Sequence, residues 1–242
     1  MKDTAAIIVA GGKGLRFGGR VRKQYLLLKN RPILWWSSAA FEHSPSIFSI
    51  VLVVPPDDVV RVRAETRSWK IRKLTAVVPG GKTRADSVRQ GLSALPSSGR
   101  YVAVHDAVRP LITPDTIERV IRAARRSGAA LAAAPSTDTV KLSNRRGLVV
   151  SSPPRESVWL AQTPQIFERR LLERAHGLRR KNGHGPWTVD RKSVHGARFT
   201  DDSQLVERLG VRVQLVESPA DNIKVTLPMD FVLAGKILEE RS

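Results

Sequence analysis

Cysteine is absent from the 242-residue chain, which excludes disulfides, thiolate metal sites and a cysteine nucleophile. No apolar run approaches the ~18 residues that a membrane-spanning helix needs. Aromatic residues make up only 5% of the sequence, and no zinc finger, aromatic-basic RNA motif or basic leucine zipper is present. Acidic residues are scarce. Lys+Arg 41 against Asp+Glu 22 leaves a net charge of +19, a field that attracts anions and speeds their arrival. The excess gathers at residues 61–73 and 169–198 and fits a solvated basic face, so nucleic acid is not the expected partner. The first strand-like run begins at Ala5, leaving no room for a leader segment, and a cytoplasmic location is the expectation.

What is present has an α/β rhythm. With 41% hydrophobic residues, the chain can bury a sizeable core. Apolar runs at Ala5–Val9, Ile50–Val54, Leu74–Val78, Tyr101–Val104, Ala129–Ala133 and Val211–Val216 read as strands. Amphipathic segments at 32–44, 57–69, 83–95 and 113–128 alternate with them, and further helices are expected near 167–176, 203–209 and 228–240. Thr113, Pro114 and Gly128 stand where a helix N-cap, first turn and C-terminal stop belong. Such alternation predicts one doubly wound, mostly parallel, Rossmann-like sheet over residues 1–242. Two stretches break the rhythm. Residues 136–158 hold two β-rich pieces around Asn144–Gly147 and predict a protruding β-arm, whereas 177–196 is Gly-, Lys- and Arg-rich and reads as a mobile basic loop.

The first strand runs into "AGGKGLRFGGRVRKQY", glycines and cations suited to nucleotide phosphates. It is neither common phosphate loop. After Gly12 and Gly14 a dinucleotide fingerprint requires glycine where Phe17 stands, and a Walker A loop requires Ser or Thr where Gly14 follows Lys13. "VPGGKTRADSV" has Ala76 where Walker A needs its first glycine. It instead supplies a second glycine-rich strand end that could wall a base pocket. "VHDAVRP" sets Asp106 after a buried strand, where a carboxylate can hold Mg²⁺ together with substrate phosphates. "QTPQIF" and "DNIKVT" add hydroxyls, amides and Lys224. Taken singly, each has an ordinary alternative: Asp106 could cap a helix, Lys224 could be solvated, and His105 could be structural.

Together, "AGGKGLRFG", "KQY", "GGKTRADSV", "HDAVRP", "DTVK", "QTPQIF", "TDD" and "DNIKVTLPMD" resemble the 2-C-methyl-D-erythritol 4-phosphate cytidylyltransferases of non-mevalonate isoprenoid synthesis. The resemblance runs from Ala5 to Ile237. Ribitol-5-phosphate cytidylyltransferases share "HDAVRP" and "QTPQ", but "PGGKTRADSV", "TDD" and Asp221 before Asn222 lean toward the former family. It implies a nucleotidyltransferase that joins CTP to a sugar-alcohol phosphate, with Mg²⁺ as cofactor. It further implies that Arg16 and Lys23 stabilise charge on the reacting phosphates, and that Ala10, Gly11, Gly12 and Gly14 cradle them. Gly81, Ser87 and Ala107 would line the nucleotide pocket, with Asp106 as metal ligand and Arg109 beside it. Thr139, Arg155, Thr163, Thr200 and Lys224 would bind the sugar phosphate, and the arm would pair two subunits. Three departures stand out. Arg22 occupies the place of a usual proline before "KQY", Pro154 precedes Arg155, and the 177–196 segment is unusually basic.

Overall fold

The computed structural model describes residues 1–11, 21–180, 187–189 and 199–241, with backbone alone at 179–180 and 187–189. Seven strands form the central sheet: β1 (Thr4–Val9), β2 (Ile47–Val54), β3 (Leu74–Pro79), β4 (Tyr101–Asp106), β5 (Ala129–Pro135), β6 (Trp159–Glu168) and β7 (Gln214–Glu217). Their order is β7-β5-β6-β4-β1-β2-β3. Every neighbouring pair is parallel except those of β6, which runs antiparallel to both β4 and β5. The helices are α1 (Ile33–His43), α2 (Val59–Thr66), α3 (Arg84–Ala94), α4 (Pro114–Ser127), α5 (Arg169–Ala175), α6 (Asp202–Glu207) and α7 (Pro228–Glu240).

The inner strands are almost wholly apolar because helices cover both faces of the sheet. Strand alternation divides β1 between two cores. Ala6 and Ile8 pack with Leu34 and Phe41 of α1 and Ile117, Val120 and Ile121 of α4. Ala5 and Ile7 pack on the other side with Val88 and Leu92 of α3, Leu172 of α5 and Val206 of α6. A smaller cluster of Leu28, Ile33, Val108, Leu111, Val225, Ala234 and Leu238 seats α7. Val225 also donates its N–H to the Val108 carbonyl at 2.8 Å. The segment before α7 is thereby held against the loop that leaves β4.

Local chemistry sets the helix ends. Thr113 accepts from the Thr116 N–H at the start of α4, Pro114 occupies its first turn, and Gly128 closes it in the left-handed region at φ 80°. The "GKT" run proves to be a capping box, with Thr83 and Asp86 satisfying each other's backbone donors at the start of α3. The expected strands and helices recur with shifted ends. The last strand, for instance, spans Gln214–Glu217 rather than 211–216.

One element differs in kind. The "QTPQIF" stretch, for which only hydroxyls and amides are expected and no strand, lies within β6, and the helix expected from 167 starts only at Arg169. Polar residues and Pro164 hide this strand from periodicity. Its pairing with β5 shifts register between Ala161 and Gln165, around a cis Thr163–Pro164 bond.

Between β5 and β6 the chain leaves the sheet. Leu142–Ser143 and Val149–Ser151 pair as an antiparallel ribbon, and its base is closed by the Ser136 N–H to Val158 carbonyl bond at 2.9 Å. Leu142, Leu148, Val149 and Val150 on this ribbon are all at least half exposed. Within the expected basic loop, Leu178–Arg180 pairs antiparallel with Trp187–Val189. The rest of that 177–196 expectation, apart from Gly177 itself, lies outside the described residues, as do Gly12, Gly14 and Arg16.

Candidate active site

The carboxyl ends of β1, β3 and β4 meet where the topology reverses around β1, the place where open α/β sheets bind ligands. Ala10 is buried at the end of β1, its N–H on the Val53 carbonyl at 2.7 Å and its carbonyl receiving the Gln24 Nε2 donor at 2.8 Å. Gly11 lies against the second glycine-rich strand end, since a Cβ there would stand 3.1 Å from Ser87 Oγ. At Gly81 a Cβ would fall 2.2 Å from that of Asp86, so the turn accepts only glycine. Ser87 is buried. Its hydroxyl donates to the Thr83 carbonyl at 3.0 Å and accepts the Gly81 N–H at 3.2 Å. Ala107 follows β4 and is anchored by its N–H on the Val9 carbonyl at 3.0 Å.

Asp106, the last residue of β4, is the electrostatic centre. Lys224 Nζ donates to Oδ2 at 2.7 Å and Arg84 Nε to Oδ1 at 3.2 Å. Burial pushes this carboxyl up, but Arg84, Lys224 and Arg109 outweigh it and hold the group well below the usual carboxylate range. Arg84 also donates to Asp202 at 2.6 Å, and the other Asp202 oxygen lies 2.9 Å from Nε2 of the buried His176. Arg84 therefore ties α3 both to the site carboxylate and to the start of α6.

The backbone of Asp106 is fixed from β6. Thr163 Oγ1 accepts the Asp106 N–H at 3.0 Å and pairs with His105 Nδ1 at 3.0 Å. Burial pushes the His105 pKa down to about 3, so the ring is neutral. It accepts from Thr163 through Nδ1 and donates from Nε2 to the Arg109 carbonyl at 3.3 Å. The Thr163 hydroxyl is thus committed inward. Arg109 is buried and donates to the Asn222 carbonyl at 2.7 Å. Asn222 in turn donates to Gln162 Oε1 at 2.8 Å and to the Thr163 carbonyl at 3.1 Å. This lattice of amides holds Lys224 at the mouth of the site. Lys23, on the short 3₁₀ turn Lys23–Tyr25, reaches the same segment with Nζ 3.0 Å from the Val225 carbonyl.

Two expected site residues stand apart. Thr139 and Arg155 are exposed on the arm, and among the described residues neither side chain bonds to this cluster. Thr200 is exposed and bonded to Gln204, two residues before the buried Asp202. Sequence reasoning missed Arg84, Gln165 and Asp202. Gln165 Oε1 accepts the N–H groups of Asp202 and Ser203 at 3.1 and 3.0 Å, while its Nε2 donates to Asp201. "TRADSV", "QTPQIF" and "TDD" had marked the segments but not these roles.

Among the described residues no group of three or more His, Cys, Asp or Glu could hold a metal. Asp106 offers one ionised carboxylate whose oxygens already carry cationic donors. That set fits an Mg²⁺ arriving with phosphate and water ligands of its own, not a resident ion in a protein cage. Arg84 Nη2 and Arg109 Nε are buried without partners among the described residues, which leaves donors for an anion. A groove of about 370 Å³ between α4 and β7, lined by Arg119, Arg122 and Arg126, lies at the β7 edge of the sheet and holds none of these residues. No described helix is long and apolar enough to cross a membrane.

Residues 4–240 match the family model described as 2-C-methyl-D-erythritol 4-phosphate cytidylyltransferase. The protein of that name from Desulforamulus reducens is 42% identical over 100% of this chain and 98% of its own length. A 4-diphosphocytidyl-2C-methyl-D-erythritol synthase crystal structure from Anaerococcus prevotii superposes with a TM-score of 0.82 at 28% identity, covering 98% of this chain and 99% of its own. For the Thermus thermophilus 2-C-methyl-D-erythritol 4-phosphate cytidylyltransferase the TM-score is 0.73 at 32% identity, covering 99% of this chain and 100% of that one.

Proposed function

Because the chain belongs to the 2-C-methyl-D-erythritol 4-phosphate cytidylyltransferase family, we propose that it transfers a cytidylyl group from CTP to 2-C-methyl-D-erythritol 4-phosphate. The products are 4-diphosphocytidyl-2-C-methyl-D-erythritol and pyrophosphate. An acceptor phosphate oxygen forms the new bond to the α-phosphorus, and the bond to the β-phosphate oxygen breaks with its electron pair leaving on pyrophosphate. No protein nucleophile is required. The work is positioning and charge stabilisation.

The observation that carries this reading is Asp106 held between Arg84 and Lys224 beside two glycine-rich strand ends. An anion braced by cations is a site that phosphates can enter by exchange: Lys224 leaves Asp106 for the acceptor phosphate, and the freed carboxylate faces the nucleotide. Mg²⁺ held by Asp106 would neutralise triphosphate charge there. Backbone groups from Ala10 to Gly14 cradle the phosphates, and Gly81, Ser87 and Ala107 wall the base and ribose. Arg16 and Lys23 meet the charge that grows on the α-phosphate and leaving group. Thr163 and Arg109 act from behind by fixing Asp106 and the 222–225 segment.

The acceptor side needs Thr139 and Arg155, and these ride on an exposed apolar ribbon. A two-stranded ribbon is marginal by itself, so the arm packs on a second copy and completes that copy's acceptor pocket, making the enzyme a homodimer. Thr200 adds a hydroxyl from the α6 side. The cytoplasm is the proposed compartment. Ribitol-5-phosphate transfer is the disfavoured alternative. The test is pyrophosphate release with CTP and Mg²⁺ against methylerythritol phosphate, ribitol phosphate and no acceptor. Release with the first alone supports the proposal; release with ribitol phosphate at equal or higher kcat/KM rejects it.

A further inference from the structure

Arg22 occupies a backbone conformation that suits proline. Its φ of −63° and ψ of 133° place it in the extended region, within the range that a pyrrolidine ring imposes. Arginine has no ring to hold it there. Its side chain is instead bound at the far end: Nη1 donates to Asp58, and Nη2 lies 3.7 Å from Asp57. Asp58 also accepts from Arg61 Nη2 at 3.2 Å, and the Arg61 guanidinium stacks 4.2 Å over the Tyr25 ring. The Tyr25 N–H returns to the Arg22 carbonyl at 2.9 Å. Arg22, Asp58, Arg61 and Tyr25 thus close a ring around the turn.

Asp58 has an ordinary alternative use, which it declines. It is the N-cap residue of α2, yet its side chain makes no capping bond. The carboxylate is committed to the two arginines, with its side chain only 12% exposed. The turn enclosed by this ring carries Lys23 and Gln24, whose side chains point the other way, to the Val225 carbonyl at 3.0 Å and the Ala10 carbonyl at 2.8 Å. One side of the turn is clamped to α2 and the other faces the nucleotide and acceptor sites.

The geometry points to Arg22 as a positioning residue: with Asp58 it forms an ionic clamp that holds the Lys23 turn in place, doing electrostatically what a proline at this position would do covalently. The inference rests on the proposed cytidylyl transfer only in assigning the clamp a catalytic consequence. The clamp itself is a property of the chain. Being ionic and partly exposed, it weakens with salt, whereas a ring would not.

The test compares Arg22→Ala, Asp58→Asn, their double variant and Arg22→Pro. Hydrogen exchange at the Tyr25 and Leu26 amides, which close the turn on the Arg22 and Lys23 carbonyls, reads the clamp without any turnover. Exchange should rise about tenfold in each single variant and in the double by clearly less than the product of the two, because the Arg22–Asp58 pair is common to both while Asp58→Asn also releases Arg61 and Arg22→Ala also releases Asp57. Arg22→Pro should restore slow exchange. At saturating CTP, kcat should fall on the order of tenfold in Arg22→Ala with KM for CTP within about twofold, and Arg22→Pro should recover most of it. Between about 50 and 500 mM salt the wild type should lose about threefold more kcat than Arg22→Pro. Unchanged exchange in Arg22→Ala, or an Arg22→Pro variant as impaired as Arg22→Ala, overturns the clamp. Wild type without CTP turnover would sink the functional reading instead, while the exchange result still decides the clamp.

Discussion

The Asp106 corner and the β-arm are opposites. At the corner the described polar groups are cross-linked inside the chain: Lys224 and Arg84 meet on Asp106, and Arg84 and the His176 ring meet on Asp202. The arm exposes Leu142, Leu148, Val149 and Val150, and its Arg155 has no side-chain bond among the described residues. The corner is pre-assembled, so in the proposed reaction substrate binding there would exchange existing electrostatic contacts. The arm lacks a surface to pack on, and in the proposed dimer it finds one. A site can thus combine a part that folding finishes with a part that only association finishes.

Three changes probe this contrast, in falling order of effect. Asp106→Asn keeps the shape but removes the charge on which Lys224 and Arg84 converge. It should lower kcat on the order of 10²–10³-fold, measured with saturating CTP and Mg²⁺. Activity within about threefold of wild type would make Asp106 a structural residue.

The second change is in pH. Because burial holds the folded His105 pKa near 3, the unfolded histidine takes up a proton below about pH 6.5 while the folded one does not. Stability should therefore fall as pH drops from 6.5 toward 3, by about 1.6 kcal/mol between pH 6.5 and 5 from this group alone. Urea unfolding of the metal-free protein at the two pH values measures it. His105→Gln should flatten the slope, and an equal slope in that variant would show that the effect arises elsewhere.

The third change should do least to folding. Val149→Asp lies on the exposed ribbon and should shift the stability of an isolated subunit by less than about 0.5 kcal/mol, while moving sedimentation from dimer to monomer. A stable dimer in that variant would mean that this face of the arm is not the contact.

How far the sequence discloses these regions follows from their physics. β1, β2, β4 and β5 are apolar because both faces are covered, and such runs are visible without a structure. The caps of α4 are equally visible in Thr113, Pro114 and Gly128. β6 is not, because the polar residues that hold the site, Gln162, Thr163 and Gln165, are buried in it and erase the strand pattern. Asp106 and Lys224 were legible through their motifs. Arg84 was not, since an arginine in the first turn of an amphipathic helix looks like any solvated cation until Asp106 and Asp202 are seen to flank it. The arm was legible from its composition. The surface that the proposed dimer would give it belongs to a second copy, which a single sequence does not describe.

In the proposed enzyme a corner built in cis is completed by an arm acting in trans. Arg155→Ala and Lys224→Ala should each be nearly inactive as homodimers. Unfolded and refolded together in equal amounts, they should form mixed dimers in about half of all pairings. In a mixed dimer one site carries both lesions and the other neither, so activity should return to roughly a quarter of wild type. If Arg155 served its own subunit, every site would keep one lesion. Mixed dimers present without any recovery of activity would mean that Arg155 serves its own subunit and that no site is shared.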